Sequence, residues 1–408
     1  MQTRFHKFLS IAPALLAIIV DYFGWGLVYP LATAIINDPH STLVPSGASL
    51  EVRDFYLSLS FLLYPLCMLF GSSTLGDISD IYGRKKVLFG CTFGIGASFL
   101  CMAFGIVTSS LWLFLAGRAI SGFMAGTVPI AQATVVDMSS SEDKPFNLAL
   151  LSFTFSAGLV LGPLFGSIFS DSRLVSWFGY TTPFFFSAAL AFLAAFWIKA
   201  KFSHHERLNP NKTFSLLRPL ILFKEAFQNP QLRTLSTILF LFRFGVSLYI
   251  QSILIFLESN LHYTSVGLGL FWVVMGFGFI IGLALLKKLT QTTIPATRLI
   301  FYSLLGQSLT IILSSLFVSE IPLWILGFLM ALINPSSYAL LMAVFSDVAP
   351  QESQGWVMGI WSAVVALAFV AGGLTNNLLP FLHVDPVIFL GGALVCFSGF
   401  VLLKAAKR

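Results

Sequence analysis

Charge is scarce in this chain. Asp, Glu, Lys and Arg make up 10% of its 408 residues, whereas hydrophobic residues make up 57%. An ordinary soluble domain carries about 25% charged residues, so a single water-soluble core is excluded. Cysteine is also sparse: Cys67, Cys91, Cys101 and Cys396 each lie inside an apolar run and lack paired spacing. That excludes a disulfide framework or a thiolate zinc site and leaves them as small packing residues. No G-x-x-x-x-G-K-[ST] phosphate loop occurs, which argues against an ATP-driven pump. The six histidines, His6, His40, His204, His205, His262 and His383, fall at a terminus, in a polar linker or near helix ends. None has metal-ligand spacing inside an apolar run, so neither a metalloenzyme nor any other cofactor is expected.

The abundant residues are apolar, and they are divided into twelve runs: 11–36, 55–76, 86–108, 111–137, 146–169, 178–199, 234–258, 264–286, 297–318, 321–346, 353–377 and 384–404. Each can cross a hydrocarbon core of about 30 Å. In lipid every backbone N–H and C=O must find its partner internally, and no strand-like alternation of polar lumen residues appears, so all twelve are expected to be helices. The fold class is thus an all-α, multi-pass membrane protein. Of the 23 Lys and Arg, all but Arg53, Arg173 and the intraspan Arg118 and Arg243 fall on the side that holds both termini. That bias places both termini in the cytoplasm. The net charge of +6 follows from it, and no basic domain suggests a nucleic-acid partner. The first apolar run is too long for a signal-peptide core, so no cleaved leader is expected. The compact loops suggest a bacterial inner membrane.

Residues 200–233 form the one long polar connection and separate an N-terminal six-helix half, 1–199, from a C-terminal half, 234–408. Two parallel halves are a transporter layout. A residue-level echo supports duplication. Asp137 at the end of span four precedes Glu142, and Asp347 at the end of span ten precedes Glu352, in the same register that puts Gly162 on Gly372. Within the linker, 214–228 reads either as an interfacial amphipathic helix or as plain linker, with Pro219 expected to break its first turn. Asn211-Lys212-Thr213 fits a glycosylation acceptor but lies in a loop assigned to the cytoplasm, and is read as chance.

Between spans two and three the chain reads Gly76-Asp77-Ile78-Ser79-Asp80-Ile81-Tyr82-Gly83-Arg84-Lys85-Lys86. Gly76 would admit a neighbouring helix, Gly83 a tight turn, and Asp80 with Arg84 and Lys85 a charged cytoplasmic latch. This resembles the G-x-x-x-D-R/K-x-G-R-R/K loop of the major facilitator superfamily, with Ile81 standing where the family has a basic residue. Span five carries Gly158, Gly162, Pro163, Gly166 and Ser167, similar to the G-x-x-x-G-P-x-x-G-G motif of the twelve-span drug:proton antiporters. Span four holds Arg118, Gly122 and Gly126, and span one Asp21-Tyr-Phe-Gly24-Trp-Gly26-Leu-Val-Tyr-Pro30; both are similar to patterns of the tetracycline-type exporters. The resemblance implies that Asp137 lies near Arg84 as part of the latch, and that spans one, four, seven and ten line a central cavity. On that basis Trp25, Tyr29, Gln132, Arg243, Tyr249, Gln251, Asn334 and Tyr338 are candidate substrate contacts, while Trp356 and Trp361 read as core or interfacial anchors. A monomer is the family expectation.

A carboxylate at a helix centre in lipid costs roughly 2.5 to 3.5 kcal/mol and marks a functional hypothesis. Asp21 is about 15 Å from the cytoplasmic edge and Arg118 about 10 Å from the outer one, at 1.5 Å per residue. They are close enough in depth either to pair as a proton-coupling site or to form a static buried ion pair. Burial favours a proton on Asp21 and Arg118 opposes it. Arg243 in span seven has no acid at its depth, so it either meets an anionic substrate group or snorkels to water. The expected function is proton-coupled secondary transport of a small organic molecule by alternating access, with efflux by proton antiport favoured. The alternative is movement of an anionic metabolite, such as a polycarboxylate siderophore or an amino-acid nutrient. No enzymatic activity is expected.

Overall fold

A computed structural model describes residues 2–38, 41–45, 47–138, 144–202, 215–291, 293–348, 354–376 and 384–406. Among the described residues there are fourteen α-helices and no strand. They are α1 (Gln2–Asn37), α2 (Leu50–Tyr82), α3 (Arg84–Val107), α4 (Leu111–Met124), α5 (Thr127–Asp137), α6 (Lys144–Ser170) and α7 (Thr182–Lys201). After the linker come α8 (Arg218–Gln228), α9 (Pro230–Leu261), α10 (Ser265–Thr290), α11 (Ala296–Ser314), α12 (Glu320–Asp347), α13 (Gln354–Asn376) and α14 (Val384–Ala406).

Among the described residues, eleven helical stretches are long and apolar enough to cross a membrane. The predicted run 146–169 corresponds to α6, whose shorter segment Thr154–Ser170 is apolar. The predicted span 111–137 is interrupted: the Ala125 N–H bonds back to Gly122 O at 3.1 Å and the Thr127 hydroxyl to Met124 O at 3.0 Å, which separates α4 from α5. Gly126 sits at the break with Leu75 of α2 against it, where a side chain would push the helices apart. Pro13, Pro30, Pro65, Pro163 and Pro335 all lie inside helices, which is tolerated where neighbouring groups re-satisfy the freed backbone. Thus Pro163 leaves Leu159 O without its N–H, and that oxygen faces Gly26 of α1.

Contacts divide the chain into two compact units. The first contains Met1–Leu31, His40–Ser46 and Leu66–Arg218. Its core joins Ala14, Leu15 and Ile18 of α1 to Leu88 and Cys91 of α3, Ile130 and Val135 of α5 and Ile198 of α7. The second contains Ala32–Pro39, Gly47–Pro65 and Pro219–Arg408, so it includes the far end of α1 and the start of α2. Within it α9 packs on α13 and α14, α10 on α12, and α11 on both α12 and α14.

Of the linker segment 214–228, residues 215–228 are described, and in them helix begins at Arg218. Pro219 sits in the first turn, where a missing N–H costs nothing, so it opens α8 and does not break it. Pro219, Leu222 and Ala226 are buried, while Leu220 and Ile221 are exposed. The Trp356 indole donates to Glu225 at 2.7 Å. Glu142, Glu352, Asn211-Lys212-Thr213, His40, His204, His205 and His383 lie outside the described residues, as do the side chains of His6 and Asp137.

Candidate functional site

The site is built on α1. Asp21 is 4% exposed, and the thiol of Cys91 in α3 lies within its electrostatic reach. Two helical turns further on, about 12 Å along the axis, Tyr29 is fully buried with the Arg118 guanidinium carbon 6.0 Å from its ring centroid. Arg118 is 1% exposed and also acts electrostatically on Cys67 of α2. Trp25 lies between Asp21 and Tyr29 in sequence and packs edge-on to the Tyr29 ring at 5.2 Å. A buried carboxylate and a buried guanidinium thus occupy the same helix bundle, with aromatic rings lining the stretch of α1 between them. Gln132 on α5 is exposed.

The α6 glycines hold α1 in place. A Cβ on Gly158 would stand 2.8 Å from Ile19 O and 2.9 Å from Tyr22 Cβ; on Gly162 it would overlap Phe23 O; on Gly166 it would stand 3.3 Å from Leu27 Cγ. The spacing of four puts these three on one helix face, the geometry of a small-residue seam. Ser167, in the place of the motif's last glycine, donates its hydroxyl to Pro163 O at 2.6 Å. Gly372 of α13 faces the Ser247 side chain of α9, whose hydroxyl a Cβ there would overlap.

In the loop between α2 and α3, Gly83 has φ of +98°, a conformation suited to glycine. Arg84 and Asp80 are 3.9 Å apart and partly exposed, a geometry of little energetic weight. Gly76 departs from expectation, because nothing lies within 4 Å of where its Cβ would be. The close helix approach falls at Gly71, whose Cβ would overlap the Phe123 backbone. Asp77, beside Gly76, is buried and takes an ion pair from Arg218, the first residue of α8. Lys85 is partly buried.

On α9, the Arg243 guanidinium carbon lies 5.1 Å from the ring centroids of Tyr338 and Phe369 and 5.6 Å from that of Phe242. Such an aromatic surround favours a cation. Trp361 is core, donating to the Tyr338 hydroxyl at 3.0 Å. Asn334 is buried and its Nδ2 has no hydrogen-bond partner among the described residues. Tyr249 is buried with its hydroxyl toward Ser314 of α11. Gln251 is fully buried and bound: its amide donates to Ser247 at 2.8 Å and accepts from Asn376 at 3.1 Å. Asn376 also accepts from Ser252 and, at its carbonyl, from Ser58, each at 2.9 Å. These bonds tie α9, α13 and the start of α2 together. The register of such cross-helix pairs is not legible from sequence, although a lone Asn or Gln in an apolar run is itself a signal of one.

A multi-pass, all-helical fold with ionisable groups buried among its helices defines a membrane carrier. The Major Facilitator Superfamily model matches residues 14–373, and the chain belongs to that family. It is 24% identical over 361 residues to the class C tetracycline resistance protein of Escherichia coli, covering 87% of this chain and 85% of that one. It is 25% identical over 383 residues to the class D tetracycline resistance protein of Salmonella ordonez, covering 89% and 88%. Among solved structures, the human organic anion transporter MFSD10 (TETRAN) superposes with a TM-score of 0.70 at 19% identity, covering 97% and 99% of the two chains. The POT family transporter PepTSo superposes with a TM-score of 0.77 at 12% identity, covering 98% and 97%. The protein is therefore a membrane transporter of small molecules and not an enzyme.

Proposed function

We propose that this transporter exports a small organic molecule by proton antiport, through alternating access of twelve spans with both termini in the cytoplasm. The observation that carries this reading is Asp21, a buried carboxylate on the helix that the α6 glycine seam grips. Burial penalises its charge and the positive field of Arg118 favours it, so access of water or substrate changes which effect dominates. The likeness to tetracycline resistance proteins supports efflux of a drug-like compound; a bacterial inner-membrane location and a monomeric state are proposed with it. Asp80, Arg84, Lys85 and Asp137 are assigned to a cytoplasmic latch that biases which face is open.

A second reading is favoured by one specific observation. Arg243 among Phe242, Tyr338 and Phe369 offers a cation beside flat apolar faces, which suits a substrate with a carboxylate on an aromatic or extended body. The transport direction for such an anion is open to either sense. Trp25, Tyr29, Gln132, Tyr249, Gln251, Asn334 and Tyr338 remain proposed substrate residues, with Gln251 and Tyr249 acting through packing.

Flux into proteoliposomes under an imposed pH gradient tests both readings, using cationic drugs, hydroxycarboxylates, siderophores and amino acids. Substrate moving against protons, with the gradient dependence lost in Asp21→Asn and exchange retained, is the expected result. Undiminished gradient-driven flux in Asp21→Asn removes that residue from the mechanism. Arg243→Ala is expected to weaken transport of anions more than of neutral compounds, and equal loss for both refutes the charge argument.

A further inference from the structure

A second group of ionisable side chains, two of them half-buried carboxylates, lies where α1 and α9 end and α2 begins. Asn37, the last residue of α1, is 3% exposed. Its Nδ2 donates to Glu258 Oε2 on α9 at 2.8 Å and reaches Asp54 Oδ1 on α2 at 3.5 Å. Two carboxylates on different helices therefore face each other across a single amide. The other half of that amide, Asn37 Oδ1, is buried without a hydrogen-bond partner among the described residues. An acceptor in that position needs a donor, and leaving the bond unmade is destabilising.

The charged groups around the pair do not supply that donor. Arg53, on α2 and itself buried, directs its donors to backbone carbonyls: Nη1 to Ile36 O at 2.7 Å and Asp38 O at 2.8 Å, and Nε to Ala48 O at 3.4 Å. It caps the end of α1 and acts on Glu258 only through space. Glu51 acts on Asp54 in the same through-space manner, and Asp38 and His262 on Glu258. Two acids and one histidine besides Arg53 thus surround the pair, and among the described residues the Asn37 amide is the side-chain donor the two carboxylates share.

We infer that Asp54, Glu258 and Asn37 form a proton-binding clasp, in which one proton taken from solution by the two carboxylates together sets how firmly the ends of α1, α2 and α9 are held. With both acids ionised, Nδ2 serves both and their like charges push α2 and α9 apart. When one acid takes a proton, the repulsion is relieved and the new O–H donates to Asn37 Oδ1 after the amide rotates, while Nδ2 serves the remaining carboxylate. Every polar atom of the amide is then paired. The clasp binds a proton independently of whether Asp21 couples transport.

The test is pH-difference infrared spectroscopy of the full chain in lipid nanodiscs. Asp21→Asn is expected to keep a protonated-carboxyl band that declines as the pH is raised. Glu258→Gln, whose amide donates as the protonated acid would, is expected to fold and to abolish that band, as is Asp54→Asn. If Asp21→Asn shows no such titrating band, the inference is overturned whatever the other variants do. It is equally overturned if the band persists in both Glu258→Gln and Asp54→Asn, or if sodium at fixed pH removes it, since the site would then hold a metal cation. Loss of the band in Asp21→Asn alone would instead locate proton binding at the α1 carboxylate.

Discussion

Substituting alanine along the α6 seam tests whether glycine spacing positions the α1 carboxylate. At Gly162 the added Cβ would overlap the Phe23 carbonyl oxygen and stand 2.9 Å from Leu27 N. Both atoms are backbone, so α1 as a whole must move. Overpacking of this kind costs about 1 to 3 kcal/mol, set against about 1 kcal/mol gained because alanine favours the helix. At Gly158 the nearest atoms are 2.8 to 3.0 Å away and again include backbone. At Gly166 the nearest is a leucine side chain at 3.3 Å, which can shift. At Gly76 nothing is near, so only the helix gain remains. Thermal unfolding in detergent should therefore rank Gly162→Ala as the least stable, then Gly158→Ala, then Gly166→Ala, with Gly76→Ala at or above the parent. Because Phe23 is two residues from Asp21, Gly162→Ala should also depress pH-gradient-driven flux. A Gly162→Ala protein as stable as the parent, or a Gly76→Ala protein that is the worst of the series, refutes the argument.

Other consequences are as specific. Asn376→Ala leaves Gln251 Oε1 and the Ser252 hydroxyl without partners, so it should destabilise the protein by about 1 to 3 kcal/mol; an unchanged denaturation midpoint would show that water replaces the amide. Asp80→Asn should slow turnover more than it alters substrate range, and a mutant with native turnover but a new range would contradict the latch role. In the loop after α6, Arg173 hydrogen-bonds Asp171 at 2.9 and 2.8 Å and holds its carboxyl below the usual carboxylate range. A depressed acid stabilises above its unfolded pKa and loses that effect as pH falls through the folded one. Arg173 is 76% exposed, so solvent screens the pair and the effect is small; Asp171→Asn should match the parent in melting at neutral and acidic pH, and a marked neutral-pH loss would show the loop to be structural.

Much of the helical layout was legible because lipid enforces it. Long apolar runs have one way to satisfy their backbone, so helix positions followed from composition to within a few residues at most ends. The break between α4 and α5 was not legible, since it arises where Gly126 admits Leu75 from another helix. The outcome at Pro219 turned on position: the same residue that breaks a helix interior opens a first turn. The glycine face of α6 could be read as a seam from spacing alone, but its partner, the backbone of α1 from Ile19 to Leu27, could not.

Sequence by itself determined that this is a helical membrane protein, that Asp21, Arg118 and Arg243 are costly in lipid and so call for explanation, and that Gly83 sits at a turn. Those facts depend on the chemistry of single residues and their near neighbours. Only the tertiary structure decided that Gln251 is spent on Asn376, that Gly71 rather than Gly76 takes the close helix contact, that Asp77 meets Arg218, and that Asn37 brings Asp54 and Glu258 together from three helices. Such pairings depend on helix rotation and register, and an apolar run without a polar stripe leaves both unspecified until its neighbours are in place.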